Sequence, residues 1–429
     1  MPENTKHSVV VLNELRLLPG LKDLPASVLP SGWRAAQLKD CCNILQGGRL
    51  GLTKEKHYRS SGTAAYSASG QDGFVEQVEC NRDGVVLSSI GANCGKCFFA
   101  SGAWTTLANT QAILPKQYVL DAKFAYYRMN LPNYWPRSGS AQPFIKPSDI
   151  GKCWLAFPES LSEQSQISTI LSTLDEAIGT AEALIAKLLR IKHGLMQDLL
   201  TRGIDDNGNI RTEKTHKFKD SPLGRIPEAW EIRPLREYLQ YISYGFTNPM
   251  PETEDGPYMV TAANIFGGRL QYETCRHTSE YAFRNLLTKK SKPVLNDILL
   301  TKDGSLGRLA LVDRSDICIN QSVAVLRTGK SASPQFIKRL LEASGYQKKM
   351  DDDAGGSTIR HIYITRVDKM PIAVPRSGEE QTRICSMLSQ ADCWLEVEIA
   401  HQHKLCSLKR GLMEDLLTGR VRVNHLLRP

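Results

Sequence analysis

Apolar residues recur at alternating spacings of four and three along Ile167, Leu171, Leu174, Ile178, Ala181, Ile185 and Leu188, and the stripe continues through Ile191, Leu195 and Leu199. Sustained over about five heptads, this pattern predicts one long amphipathic helix over Gln164–Thr201, with Pro158 upstream and Gly203 just past the end as stop signals. At about 1.5 Å per residue such a helix runs to about 60 Å. It cannot bury its stripe alone and needs a partner of matching length.

The chain supplies that partner. Pro375–Thr418 repeats Pro158–Thr201 without a gap at a constant offset of 217 residues, with 19 of 44 positions identical. The matches include Glu163-Gln164 with Glu380-Gln381, Asp175 with Asp392 and Lys192 with Lys409. The closing run Gly194-Leu195-Met196-Gln197-Asp198-Leu199-Leu200-Thr201 returns as Gly411-Leu412-Met413-Glu414-Asp415-Leu416-Leu417-Thr418. In the second copy Glu398 and Gln402 stand where the first has Ala181 and Ile185. Polar insertions of this kind either fix the register of a helix pair or mark a stretch that leaves the seam. A duplicated chain carries a pseudo-two-fold axis and expects a two-fold partner, for which duplex DNA is a candidate.

The repeat extends beyond the helix. Pro30-x-x-Trp33 matches Pro227-x-x-Trp230 at an offset of 197, so the stretch between tryptophan and helix is 20 residues longer in the second half. Within these stretches the halves agree in outline alone. Short β-branched or alternating runs (Gly84–Ser89, Asp297–Thr301, Ile317–Leu326 and Ile359–Ile364) lie between Gly, Asn, Asp and Pro punctuation, with one helical stretch in each, Leu120–Met129 and Pro334–Met350. The pattern predicts two α+β domains with small, irregular sheets. The polar stretch Thr201–Arg225 reads as a surface linker between the halves.

Composition narrows the choice of partner. A formal charge of +9, spread along 429 residues, suits a folded polyanion-binding surface better than a disordered basic arm. No apolar run approaches the roughly 20 residues that span a bilayer, and Met1–Val11 is too polar for a signal peptide, so a cytoplasmic protein without membrane contact is expected. The 11 cysteines, several inside apolar runs (Cys153, Cys318, Cys385), read as reduced core thiols.

The Pro-x-x-Trp openings, the run Ser221-Pro222-Leu223-Gly224-Arg225-Ile226-Pro227, the Glu-Gln helix starts and the Gly-Leu-Met-x-Asp-Leu-Leu-Thr helix ends resemble the DNA specificity subunit of type I restriction-modification systems. So do Tyr66-Ser67-Ala68-Ser69-Gly70, Ile90-Gly91-Ala92-Asn93-Cys94-Gly95-Lys96 and Gly356-Ser357-Thr358. The resemblance implies two target recognition domains, each followed by a spacer helix, with the helices packed as an antiparallel coiled coil. It divides the chain into an N-terminal extension (1–28), a first recognition domain (29–157), a first spacer helix (158–203), a linker (204–226), a second recognition domain (227–374), a second spacer helix (375–420) and a tail (421–429). It further implies that each domain reads one half of a split, asymmetric site in double-stranded DNA. Two methyltransferase subunits would be held by the helices, with S-adenosylmethionine bound on those subunits and no cofactor in this chain. The assembly of such systems can also recruit restriction subunits. The chain departs from the pattern where Ser27-Val28-Leu29-Pro30 replaces the Leu-Gly-x-Ile-Pro opening of the second half.

Motifs for chemistry are missing. An adenine methyltransferase needs an Asn-Pro-Pro-aromatic loop to hold a flipped base, and Asn248-Pro249-Met250-Pro251 lacks the adjacent proline and the aromatic. Gly304-Ser305-Leu306-Gly307-Arg308 has no phosphate-loop spacing. Cys94-Gly95-Lys96-Cys97 lacks the second ligand pair that zinc needs. No catalytic or metal site is expected; the rival readings are a methyltransferase or nuclease fused to its own specificity domains, and a purely structural coiled coil. Candidate phosphate-directed residues are Lys96, Arg128, Arg137, Lys302, Arg308 and Arg360, and candidate base-edge readers are Ser67, Ser69, Asn93, Gln142, Asn264, Gln321 and His361. Amides and guanidinium groups match base edges in pairs of hydrogen bonds, whereas lysines mostly position on phosphate. The aromatics of Tyr126-Tyr127-Arg128 and Tyr134-Trp135-Pro136-Arg137 are expected in the domain core.

Overall fold

A computed structural model describes residues 29–356 and 360–423. The expected N-terminal extension and Ser357, Thr358 and Ile359 lie outside the described residues. The chain divides into two compact units that each draw on both long helices, one made of residues 1–183 and 400–429, the other of 184–399.

In the first unit a two-stranded ribbon pairs β1 (Trp33–Gln37) antiparallel with β10 (Trp154–Pro158), Trp33 opposite Pro158. Between these strands lies the domain proper. One sheet has the order β2-β9-β6-β7, from Cys42–Gln46, Thr110–Pro115, Gly84–Ser88 and Cys97–Ala100; the other has β4-β3-β8-β5, from Gly70–Val75, Thr63–Ser67, Ala103–Thr106 and Cys80–Asn81. The strands β3 and β8 run parallel. Strand β6 is buried throughout because its sheet is covered on both faces, which is why it reads as a continuous apolar run. Val85, Leu87 and Ile113 point into a core shared with α1 (Ala122–Met129), the ribbon and the long helices. Val86, Ala112 and Leu114 point the other way, against Tyr66 and Trp104 of the second sheet.

The first long helix, α2, spans Leu161–Thr201. In the first unit Ile167 and Leu171 share one core with Leu416 and Leu417 of the second long helix, α5 (Gly378–Leu417). Lys409 pairs with Asp175, and Gln402 donates to Glu182 at 3.4 Å. Rising numbers on α2 meet falling numbers on α5, so the packing is antiparallel. The polar insertion at Gln402 therefore makes a bond across the helices.

The second unit repeats the plan. Its ribbon pairs β13 (Trp230–Pro234) with β23 (Pro371–Pro375), preceded by a short hairpin of β11 (Phe218–Lys219) and β12 (Ile226–Pro227). One sheet has the order β14-β22-β19-β20, from Leu239–Tyr244, Val323–Thr328, Ile298–Thr301 and Leu309–Leu311; the other has β18-β15-β21, from Arg276–Thr278, Glu252–Val260 and Ile317–Ile319. A hairpin of β16 (Ile265–Phe266) and β17 (Arg269–Leu270) is added. Again the first sheet is covered twice, with Ile298, Leu300 and Leu326 on one face and Leu299, Val323 and Val325 on the other. In this unit Lys192 meets Asp392 at 2.5 Å. Asp175 with Lys409 and Lys192 with Asp392 are the same pair generated twice by the repeat, which accounts for the identity of both positions in both copies.

Each long helix ends against the opening tryptophan of its own unit. Gly203 and Gly419 have φ of 64° and 72°. A Cβ on Gly203 would stand 2.7 Å from the Trp230 ring, and one on Gly419 would stand 2.8 Å from the Trp33 ring. The left-handed turn and the absent side chain are both needed for this closure. Beyond it, Arg422 clasps the buried Glu163 at 2.6 and 2.7 Å. Arg211 does the same to Glu380, which also accepts from Trp230 Nε1 at 3.1 Å and Ile204 N at 3.2 Å.

Four expectations are corrected. Ile191, placed in the predicted stripe, and its equivalent Leu408 are 42% and 50% exposed; each follows the preceding stripe residue by three positions where the alternation calls for four, and the seam position passes to Lys192 and Lys409, which pair across the helices. The predicted run Ile317–Leu326 is broken into β21 and β22 by a turn in which Ser322 donates to Asn320. The predicted strand Ile359–Ile364 forms isolated bridges at His361 and enters a single helical turn, Ile364–Val367. Pro334–Met350 is two helices, α3 (Pro334–Glu342) and α4 (Ser344–Asp352), because Ala343 is extended at ψ 142°.

Candidate nucleic-acid interface

In the first unit three segments meet along one edge of the sheets. The β6–β7 connection, Ser89–Lys96, folds back on itself through Gly95 N to Ser88 O at 2.8 Å and Cys94 N to Gly91 O at 2.9 Å. Gly91 N donates to Pro143 O at 2.9 Å, docking the loop 137–144, which Ser138 and Phe144 close by reciprocal bonds of 2.8 Å. The Arg137 guanidinium lies where a side chain on Gly95 would be, so glycine at 95 makes room for the arginine. Lys96 stacks over Phe98, and Phe98 abuts the Ser67–Gly70 turn.

The structure thus gathers Ser67, Ser69, Asn93, Lys96, Arg137 and Gln142 into one rim. Ser69, Lys96, Arg137 and Gln142 are exposed on it. Ser67 is buried, donating to Asp72 at 2.5 Å and accepting from Ser69 N at 3.1 Å, so it shapes the turn. Burial alone would push the Asp72 carboxyl up, but hydrogen bonds from Lys54, Ser67 and Tyr58 outweigh it and hold the carboxyl below its ordinary value. Arg128 stands apart from the rim, half-buried on α1 near the half-buried Tyr134. Tyr127 and Trp135 are core, as their sequence context predicted.

The second unit places its rim at the topologically equivalent edge. The β19–β20 connection, Lys302–Arg308, is closed by Gly307 N to Thr301 O and Thr301 N to Arg308 O, both 2.9 Å. It is held to the loop around His361 by Ile362 N to Lys302 O at 2.9 Å. Asp303 accepts from Lys302 at 2.7 Å and meets His361 Nδ1 at 2.5 Å. Burial raises the Asp303 carboxyl, and these two partners more than offset it, so its net displacement is downward. Gln321 is exposed at the tip of the β21–β22 turn, whose Ser322 carbonyl accepts from Lys302 N at 2.9 Å.

Arg308 donates to Ile265 O at 3.2 Å and lies over the exposed Phe266 ring. Asn264 is buried and saturated: it accepts from Thr261 N and Oγ1 and donates to Thr274 at 3.0 Å, which brings the Ala262–Asn264 turn to the rim without exposing the amide. Arg360 is exposed and paired with Asp351 at 2.9 Å. Sequence reading missed Phe266 and Tyr244. The latter is stacked by Lys290 and Lys302. A cation over an exposed ring is a contact across the fold that no local run of residues announces.

Neither rim holds a converging set of acids, bases or nucleophiles. Among the described residues no three His, Cys, Asp or Glu side chains converge to hold a metal ion, and no helix is long and apolar enough to cross a membrane. Cys94 and Cys97 turn their thiols to different carbonyls, Ser89 O and Met129 O, each at 3.5 Å. The rims offer amides, a histidine, guanidinium and ammonium groups on glycine-rich turns, the vocabulary of base edges and phosphates.

The family model of the type I restriction modification DNA specificity domain matches residues 30–190 and 227–405, the two halves of the repeat. The chain belongs to that family. A specificity subunit of the type I restriction enzyme MjaVIII from Methanocaldococcus jannaschii is 22% identical over 97% of this chain and 100% of its own length. The EcoBI specificity subunit from Escherichia coli is 29% identical over 41% of this chain and 37% of its own. A crystal structure of a type I restriction-modification S subunit from M. genitalium has the same fold, with a TM-score of 0.59, 15% identity, and 90% and 96% of the two chains covered. This chain is the sequence-recognising, non-catalytic member of such a system.

Proposed function

We propose that the rim around Ser69, Lys96, Arg137 and Gln142 and the rim around Lys302, Arg308, Gln321 and His361 each read one half of a split, asymmetric site in duplex DNA. The observation that carries this reading is one frame built twice, with unlike rims at equivalent edges. Arg137 and Arg308, held in place by a neighbouring glycine turn and by Phe266, are the strongest candidates for paired hydrogen bonds to guanine.

The long helices hold two copies of a methyltransferase subunit in this reading, one for each copy of the helix. Ile191 and Leu408 support it, because the repeat leaves the same apolar position exposed on both helices. Each unit also has a cleft beside these helix ends, lined by His193, Met196 and Tyr346 in one and by the equivalent Arg410 and Met413 in the other. S-adenosylmethionine is bound by the methyltransferase subunits, the assembly can take on restriction subunits, and the complex works in the cytoplasm.

The test is to express the chain with its methyltransferase subunit and sequence the methylated bases of the host DNA. A two-part motif with a spacer of fixed length is expected. A continuous motif would overturn the two-reader model, and methyl transfer by the chain free of other subunits would favour the fused-enzyme reading.

A further inference from the structure

The glutamine that follows each buried glutamate makes the same three bonds in both units. Gln164 Oε1 accepts from Asp121 N at 2.7 Å, and its Nε2 donates to Pro158 O at 2.8 Å and Val119 O at 3.3 Å. Gln381 Oε1 accepts from Ser333 N at 2.8 Å, and its Nε2 donates to Pro375 O at 2.9 Å and Ser331 O at 3.5 Å. Both side chains are buried, at 0% and 1% exposure. Asp121 and Ser333 are the N-caps of α1 and α3, each also accepting from the third residue of its helix. Pro158 and Pro375 end the ribbon strands that lead into the long helices.

Each recognition domain joins its long helix through a two-stranded ribbon packed into the core that the domain and the helix share. The glutamine ties the first turn of the domain's helix to the end of that ribbon. Apolar contacts such as Trp33 on Phe124 and Trp230 on Phe336 fill the joint but have little directional preference. Hydrogen bonds do, because they weaken steeply away from linearity. All six partners of the two amides are backbone atoms, so the joint is indifferent to the side chains of the domain it carries.

We propose that Gln164 and Gln381 are positioning residues that set the angle of each recognition domain on its helix, and hence the spacing at which the two half-sites are read. This rests on the two-reader function above. It also gives a physical reason why unlike domains sit on like frames.

The test compares the wild-type chain with Gln164→Met and Gln381→Met, each co-expressed with the methyltransferase subunit. Methionine matches glutamine in length and volume and removes the three bonds. Methylation sequencing is read for the half-sites and the spacer separately, and melting temperature reports folding. The wild type should show one spacer length. Each variant should keep both half-site sequences and show about a tenfold rise in methylation at sites whose spacer is one base pair longer or shorter, relative to the original spacer; tenfold is about 1.4 kcal/mol.

An unchanged spacer, with methylation either unchanged or lowered at all sites alike, overturns the proposal and leaves the glutamines as ordinary core residues. A wild type without a two-part motif overturns the two-reader function and this inference with it. Because the wild type is read in the same experiment, the two failures are distinct.

Discussion

Strands β3 and β4 of the first unit are joined by two residues, Ala68 and Ser69, whereas β15 and β18 of the second are separated by 261–275 and the extra β16–β17 hairpin. The next stretch, which leads to β6 in the first unit and to β19 in the second, is residues 76–83 with the short strand β5 in one and residues 279–297 in the other. The contacts of the frame, by contrast, barely differ: Asp175 with Lys409 and Asp392 with Lys192, Glu163 with Arg422 and Glu380 with Arg211, and the same three bonds on Gln164 and Gln381. The difference lies in what each residue answers to. A frame residue meets partners from distant parts of the chain, so changing it breaks several bonds at once. A rim residue on a surface turn answers to solvent and ligand, and tolerates change.

This contrast predicts effects of falling size. Removing residues 381–429 deletes the frame partners of both units and should abolish the complex with two methyltransferase subunits; full binding in size-exclusion and scattering measurements would show that the frame is not the partner surface. Replacing 34–157 with the corresponding domain of a relative should change one half of the methylated motif completely and leave the other as it was. A swap that altered both halves in a folded protein would break the division of labour between the units.

Glu380→Ala leaves Arg211, Trp230 Nε1 and Ile204 N facing an empty site and should cost about 3 kcal/mol or more, the usual penalty for breaking a buried pair from one side. Hydrogen exchange should locate the loss in the second unit, around β13 and β23, with protection of β1 and β10 retained. Equal loss in both units would mean that the frames are coupled more tightly than their separate contacts imply.

Asp392→Asn should have the smallest effect, about 1 kcal/mol at pH 7, since the pair with Lys192 is partly open to water. Burial raises the Asp392 carboxyl, but Lys192 and Arg339 more than offset it, so the folded value lies below the ordinary one. A depressed carboxyl contributes stability that is fully present above the unfolded value of about 3.9 and lost as pH falls through the folded value. The gap between wild type and variant, measured by urea unfolding, should hold from pH 7 to about 5 and narrow below about 4. A gap that widened on acidification would mean that the charge of Asp392 destabilises the fold.

Much of this was legible in the chain. The heptad stripe required two long helices, the constant offset of 217 residues made them copies, and the unlike stretches between them marked two recognition domains on one frame. Local chemistry located the turns at Gly91–Lys96 and Gly304–Arg308, because glycine adopts without steric cost the positive φ that tight turns require. Three things were decided by tertiary structure. The identical Asp and Lys of the repeat are partners of each other's copies, Asp175 with Lys409 and Lys192 with Asp392, a relation that exists only once the helices run antiparallel. Ser67 and Asn264 look like free readers in the sequence but spend their hydrogen bonds inside the turns they shape. Ile191 and Leu408 look like members of the stripe yet face outward, since each stands one residue short of the four-three alternation and Lys192 and Lys409 hold the seam instead. Periodicity along a chain determines which elements form; which faces meet, and which polar groups stay free, depends on partners that lie hundreds of residues away.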